Sequence, residues 1–428
     1  MEKLRWMTLD NAAKIFPAAK RRHWSNVFRI SATLEDDIDR ECLKAALEKV
    51  SKRCPTISVC IKPGFFWYYI EQLPHAPEIM DEKPYPLSRM PFDDIRKCAF
   101  RVIVYRKRIA VEFFHAITDG NGGLVFTKTL VAEYIRQKYG VNVPCVDGIL
   151  DPNDPPSPAE MEDSFQKYAG PAKSSRKDTD SFRIIQKREE DGYKTNTTLI
   201  FDAQELIMRA KEKGITVTTY MAAVLTMAAK DVQERTVHNP KRYKPVKVQI
   251  PVNLRKLFPS ESIRNFMLYA NIGIDPKLGE YTFDEVCQIL HHQMKLGITA
   301  KNMAALIAKN VGDEKPLLLR ITPLAIKNVV MKSIFNAVGE RKSCFSLSNL
   351  GVVRVPEEYT RYVKRMDFII GVQASAPYNF SSLTYGENMY LSIIRNIEQP
   401  VLERALYRVL KELDLHPRAE SNTRIKEK

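Results

Sequence analysis

Apolar positions along the chain alternate or cluster in short runs separated by turn-forming residues, the pattern of a chain that mixes strands with helices. Asn26 to Leu34 reads as a strand. Asp36, Asp37 and Asp39 stand where a helix cap is needed, ahead of a helix from about Arg40 to Lys52 with Leu43, Leu47 and Val50 on its apolar face; Pro55 ends it. Ile57 to Ile61 and Phe65 to Ile70 flank Lys62-Pro63-Gly64 as a hairpin. Cys98 to Tyr105 and Ile109 to Phe114 form a second one across Arg106-Lys107-Arg108, and a helical segment from Leu124 to Tyr139 follows.

The composition breaks at Pro144. From there to about Asp191 the chain is rich in Pro, Ser, Lys and Asp, and it reads as a long crossover that packs no core. Structure resumes with a strand over Asn196 to Phe201. Asp202 then caps a helix reaching Lys213, with Gly214 past its end, and Thr218-Thr219 opens an apolar helix from Tyr220 to about Val232. Strands are expected over Val246 to Leu254 and Met267 to Ile274, and helices over Thr282 to Lys295, Lys301 to Asn310 and Pro316 to Phe335. The last third returns to strands at Cys344 to Ser348, Met366 to Ala374, Phe380 to Tyr385 and Met389 to Ile394, before a helix over Gln399 to Leu413. The expected division is an N-terminal unit 1–165, a crossover 166–195, a C-terminal unit 196–417 and a mobile polar tail 418–428. Pattern alone yields two α+β domains, and 428 residues is a length that suits two.

Hydrophobic content of 44% and charged content of 27% describe an ordinary globular chain. Its longest apolar stretches, such as Met221 to Ala229, fall short of the roughly 20 residues a membrane span requires, so no transmembrane segment is expected. The N-terminus lacks an apolar signal core, and seven cysteines are dispersed with no Cys-Xaa-Xaa-Cys pair. Both features point to a reduced, cytoplasmic protein without a zinc site. The net charge of +15 includes small clusters at Lys20-Arg21-Arg22, Arg106-Lys107-Arg108 and Ser174-Ser175-Arg176-Lys177. No basic stripe is interleaved with aromatics, which argues against nucleic acid as a partner. Two readings of the charge stay open. It is a solvated surface, or it attracts an anionic partner: the phosphates of coenzyme A, an acidic carrier protein or an anionic membrane.

The apolar run Ile109 to Phe114, broken only by Glu112, delivers His115-Ala-Ile-Thr-Asp119-Gly120-Asn-Gly122-Gly123. Locally, His115 is a satisfied turn residue, a general base held rigidly at a strand end, or one half of a His–Asp metal pair. The three glycines argue against the helix such a metal pair would need, and no Cys or second His lies near to complete a ligand set.

His115-Ala-Ile-Thr-Asp119-Gly120 resembles the His-Xaa-Xaa-Xaa-Asp-Gly signature of the acyltransferases related to chloramphenicol acetyltransferase. That superfamily includes peptide-synthetase condensation domains, wax-ester synthases and alcohol acetyltransferases. Pro251-Val-Asn-Leu-Arg255 resembles the family's Pro-Val-Asp-Leu-Arg strand end, and Ser346-Leu-Ser348-Asn349-Leu-Gly351 its later Ser-Asn-Xaa-Gly strand. The three occur in the family's order, and the likeness covers about residues 5 to 415. Phe114 stands in place of the first histidine of the condensation-domain motif, and the C-terminal Asp-Phe-Gly-Trp-Gly of the superfamily's plant acyl-CoA transferases is missing. The alcohol acetyltransferase-like branch is the closest match.

This resemblance implies an α/β (α+β) fold of two chloramphenicol acetyltransferase-like subdomains, arranged as a V-shaped pseudo-dimer with a tunnel between them. It implies transfer of an acyl group, acetyl in the leading reading, from a coenzyme A thioester to a small alcohol or amine, with no bound cofactor or metal. His115 would be the general base, and Asp119 a structural carboxylate paired with Arg255. Gly120 would let the chain turn sharply; Gly122 and Gly123 would permit close packing. Ser348 or Asn349 would donate hydrogen bonds near the developing oxyanion. An acylated carrier protein is the alternative donor, and an idle carrier-protein-binding module the alternative class; His115, Asp119 and Arg255 together argue against idleness. Which of Trp24, Phe66 and Tyr378 faces the tunnel stays open from sequence.

Overall fold

The structure, a computed structural model, describes residues 5–19, 26–171, 178–313, 316, 321–334, 341–373 and 376–424. Strand β1 (Trp6–Thr8) and the short helix α1 (Ile15–Ala19) precede β2 (Val27–Leu34), the first strand of a larger sheet. Asp39 starts α2 (Arg40–Arg53) by accepting the amide hydrogens of Glu41 and Cys42, which the first turn of a helix leaves without internal partners. Strands β3 (Val59–Pro63) and β4 (Tyr68–Gln72) pair antiparallel, and β1 lies on the other side of β4. The turn sits later than the sequence pattern placed it. Pro63 ends β3, where its missing N–H breaks no ladder bond. The Gly64 amide donates to the Trp67 carbonyl, and a Cβ on Gly64 would lie 2.7 Å from that oxygen. Phe65 and Phe66 therefore stand at an exposed tip and not on a strand.

Strands β5 (Ile79–Asp81), β6 (Phe100–Tyr105) and β7 (Arg108–Phe114) follow; Arg106, at φ 47°, and Lys107 make the β6–β7 turn. Helix α3 (Gly120–Tyr139) packs beside α2. Beyond the crossover come β8 (Thr195–Asp202), α4 (Ala203–Glu212), α5 (Val217–Thr236), β9 (Val246–Asn253) and β10 (Met267–Ile274). The helices α6 (Phe283–Gly297), α7 (Ala300–Gly312) and α8 (Leu324–Ile334) are next. The chain closes with β11 (Phe345–Val352), β12 (Val363–Ile370), β13 (Tyr378–Tyr385), β14 (Asn388–Arg395), α9 (Val401–Glu412) and β15 (Arg418–Ser421). Of the helix expected over Pro316 to Phe335, residues 317–320 and 335 lie outside the described residues. So do Lys20–Arg22, Trp24, Ser174–Lys177 and Ala374.

Two principal sheets result, ordered β12-β2-β7-β6-β5 and β10-β9-β11-β13-β14-β8-β15, beside the small sheet β1-β4-β3. Each principal sheet has its own apolar core against helices: Leu43, Leu47, Phe113 and Phe126 in the first, Leu225, Phe345, Leu391 and Leu406 in the second. This is a two-subdomain α/β fold.

Three expectations need correction. The crossover does pack a core: Phe165, Phe182 and Ile184 are buried, and Arg53 holds Glu160 through two charged bonds of 2.6 and 2.7 Å. The unit boundary is crossed, because β12 leaves the C-terminal unit and pairs along β2 in the N-terminal sheet. The tail after Pro417 is not simply mobile, since β15 pairs antiparallel with β8. In each case backbone ladder bonds or a few large apolar side chains outweigh a polar local composition.

The face of the N-terminal sheet away from α2 and α3 is polar and yet buried. Arg29, Glu112 and Arg101 are direct neighbours across β2, β7 and β6. Glu112, with no exposed surface, accepts from Arg29 at 2.9 Å, Arg101 at 2.6 Å and the Leu87 amide at 2.7 Å. Burial pushes its carboxyl up, but the two guanidiniums and that amide outweigh burial and hold it below the usual range. Glu112→Ala leaves buried Arg101 without its carboxylate, while Arg29 keeps Glu82 at 2.7 and 2.8 Å, and chemical denaturation should show a loss of about 3–5 kcal/mol. With a lowered folded-state value, the Glu112 contribution is complete above pH 4.5 and disappears as pH falls through the folded value.

Candidate active site

The glycines after His115 do not interrupt a helix; they begin one. Asp119 is the N-cap of α3, and its Oδ1 accepts from the amides of Asn121 and Gly122 at 3.1 and 3.0 Å. Glycine in a helix costs roughly 1 kcal/mol relative to alanine, and the space it leaves explains why the sequence tolerates that. A Cβ on Gly122 would fall 2.0 Å from the backbone carbonyl oxygen of Ile263, so only glycine admits the β9–β10 connection there. Gly120 is less demanding: its virtual Cβ meets the tip of the Leu350 side chain at 2.9 Å, and its φ is not positive. The close packing expected of Gly122 and Gly123 is what the structure has: a Cβ on Gly123 would fall 2.7 Å from the Phe28 ring.

The second oxygen of Asp119 faces the other subdomain. Oδ2 accepts from Arg255 Nη1 and from the Phe266 amide, both at 2.8 Å. Arg255 uses its remaining donors on the same connection, giving Nε to the Ser262 carbonyl at 2.8 Å and Nη2 to the Arg264 carbonyl at 2.6 Å. Thr118 Oγ1 adds a bond to the Ile263 carbonyl at 2.6 Å. The loop after β7 and the loop between β9 and β10 are therefore bonded into one unit.

His115 lies just beyond β7, its amide bonded to the Asn26 carbonyl at 2.8 Å. Phe16 of α1 stacks on the imidazole at 4.8 Å, and Phe28 meets it edge-on at 5.1 Å. Nδ1 is 3.2 Å from Oδ1 of Asn265. Since the amide oxygen only accepts, Nδ1 carries the hydrogen, which leaves the Nε2 lone pair free. The residue keeps intermediate exposure, so its surroundings are dense without sealing it. Burial pushes the imidazole below 6.5 against weaker opposing pulls from its own backbone carbonyl, Asp119 and Asn265.

Behind Asn265 stands Asp10, which sequence reasoning did not single out. It accepts the Asn265 amide at 3.1 Å and pairs with Arg264 at 2.8 Å. Burial pushes its carboxyl up to about 7 in spite of that guanidinium, with the charges of Asp163 and Asp119 adding to the rise. The Asn265 amide nitrogen is buried and meets no acceptor among the described residues.

The third motif is placed differently from the other two. Leu350, at its end, reaches Gly120, but Asn349 gives its amide to Thr218 Oγ1 at 3.0 Å and accepts from Gly351 at 2.8 Å. Ser348 lies part-exposed on β11. Of the aromatics left open, Tyr378 is buried in the C-terminal core with its hydroxyl on Glu403, and Phe66 is at the β3–β4 tip. Phe16 and Phe28 flank the imidazole instead. Among the described residues, no group of three or more His, Cys, Asp or Glu side chains converges as a metal site.

No protein-family model matches the sequence, nor does any curated protein. Solved structures do match. The chain is similar to the trichothecene 15-O-acetyltransferase of Fusarium sporotrichioides, with 13% identity and a TM-score of 0.61 over 95% of this chain and 94% of that one. F. graminearum TRI101, solved with coenzyme A and T-2 mycotoxin, aligns at 10% identity and 0.60 over 98% and 100%. The condensation domain of the Monacolin K polyketide synthase MokA aligns at 11% and 0.58 over 97% and 99%. The chain shares their fold.

The geometry separates two glycines. Gly122→Ala must displace the Ile263 backbone and should cost at least about 2 kcal/mol in urea denaturation, whereas Gly120→Ala displaces only a leucine tip and should cost under about 1 kcal/mol. Asp119→Ala leaves Arg255 buried without its carboxylate and should cost about 3–5 kcal/mol by the same measurement.

Proposed function

We propose that this protein is an acyltransferase that moves an acyl group, acetyl in the leading case, from a coenzyme A thioester to a small alcohol, with His115 as general base. The observation that carries the reading is the His115 imidazole itself: neutral at pH 7, oriented through Nδ1 by Asn265, and anchored where the two subdomains are bonded together. The likeness to the F. sporotrichioides acetyltransferase supports it.

In this mechanism His115 Nε2 takes the hydroxyl proton as the acceptor oxygen attacks the thioester carbonyl. The carbonyl oxygen becomes an oxyanion. Its collapse breaks the carbon–sulfur bond, and the departing thiolate recovers the proton from the imidazolium. Asn265 Nδ2, a buried donor with no acceptor among the described residues, suits the oxyanion, and Ser348 is a second candidate. Asn349 is less suited because its amide is engaged within its own subdomain. Asp119 and Arg255 hold the histidine loop and do not transfer protons.

An amine acceptor fits the same chemistry. A carrier-protein donor is the second reading, favoured by the likeness to the MokA condensation domain and by the net charge of +15. Turnover with carrier-bound but not free thioesters would select it. We place the reaction in the cytoplasm, a setting compatible with seven free cysteines.

His115→Ala should lower transfer from acetyl-CoA by about 100- to 10,000-fold, read by mass spectrometry of products from a panel of alcohols and amines, with the melting temperature unchanged. Because burial lowers the imidazole value, the acid limb of kcat/KM should have its midpoint below 6.5 and the rate should be flat from there to pH 8. A fully active alanine variant, or a midpoint at or above about 7, contradicts the assignment.

A further inference from the structure

Helix α8 buries a cation and exposes an aliphatic row. Lys327 is fully buried, its Nζ bonded to the Phe66 carbonyl at 2.9 Å and 3.9 Å from the centre of the Trp67 ring. Asn328, on the same side, donates to the Tyr68 hydroxyl at 3.0 Å. The opposite side carries Ile326, Val329 and Val330, at the i, i+3, i+4 spacing of one helix face and 56%, 66% and 45% exposed. The Leu324 amide donates to the Phe65 carbonyl, so the aromatic tip of the β3–β4 hairpin lies against the start of the helix. Phe65 is 73% exposed there, and Ile321, just before the helix, 55%.

A helix that turns Lys327 and Asn328 inward beside Leu324 and leaves Ile326, Val329 and Val330 outside presents an apolar face suited to apolar surroundings, as an interfacial helix does. We propose that this face, α8 together with the Phe65–Phe66 tip, docks onto an anionic lipid bilayer. Charge selects that partner. Neither α8 nor the segment Pro63 to Trp67 contains an acidic residue, Lys332 is exposed on the helix, and the chain carries +15. A second copy would set Lys332 against Lys332 with no acidic residue of the face to offset it, and would bring together two chains of +15, whereas acidic headgroups complement both. The contact is superficial: 11 residues of helix span about 16 Å, and no helix among the described residues is long and apolar enough to cross a membrane. The face is one helix away from the imidazole, since α8 packs on α1 and α1 carries Phe16.

Docking is measured without turnover, so it stands or falls apart from the acyl-transfer reading. The full chain is sedimented with phosphatidylcholine vesicles and with phosphatidylcholine vesicles containing about 30% phosphatidylserine. The wild type should pellet with the acidic vesicles and be released by salt. Ile326→Glu with Val329→Glu should weaken partitioning about tenfold or more, and Phe65→Asp, on the separate hairpin, should weaken it as well. Both variants should keep the wild-type melting temperature, as surface substitutions do. Wild-type protein that stays in the supernatant with acidic vesicles overturns the proposal, and so do variants that pellet like the wild type. Self-association of the wild type that the double substitution abolishes reassigns the face to a second copy.

Discussion

The carboxylate of Asp119 is the point on which the arrangement rests. Four hydrogen bonds converge on it, two from the start of its own helix and two from the far subdomain. The N-cap half directs α3 away from β7; the Arg255 half fixes the β9–β10 connection against it. A buried carboxylate is stable only when its lone pairs are this well filled, and a buried guanidinium only when its donors are. Neither can move without exposing the other. The histidine four residues earlier inherits that rigidity.

From the same connection comes Asn265, whose side chain meets His115 and whose backbone is bound by Asp10. The imidazole is thus assembled from three distant parts of the chain. Phe16 and Phe28 enclose it in apolar surface, which disfavours the imidazolium and keeps the ring in the form that accepts a proton. The residues that impose orientation and those that impose desolvation are different, and they come from different subdomains.

The sequence was informative wherever side-chain period and backbone direction coincide. Strands such as β7 and β14 and helices such as α2 and α9 read correctly because one face of each meets a core. The resemblance likewise singled out His115, Asp119 and Arg255. Legibility failed where a local rule lost to a distant contact. Gly120 to Gly123 read as helix-breaking, but the Ile263 carbonyl requires a missing side chain. Polar residues 418–421 read as a tail, but the open edge of β8 accepts a strand. Asp10, Phe16 and Asn265 lie outside any long periodic element, so no pattern marked them.

The chain by itself therefore determined most of the longer strands and helices, the position of the histidine at a strand end and a division into two α+β units, because these follow from which faces must leave water; the resemblance supplied the fold class. Only tertiary structure decided that β12 joins the N-terminal sheet, which amide orients the imidazole, and what the close-packed glycines approach. Those outcomes depend on contacts between residues up to hundreds of positions apart, and the free energy of such contacts is set by packing and desolvation that no local window contains.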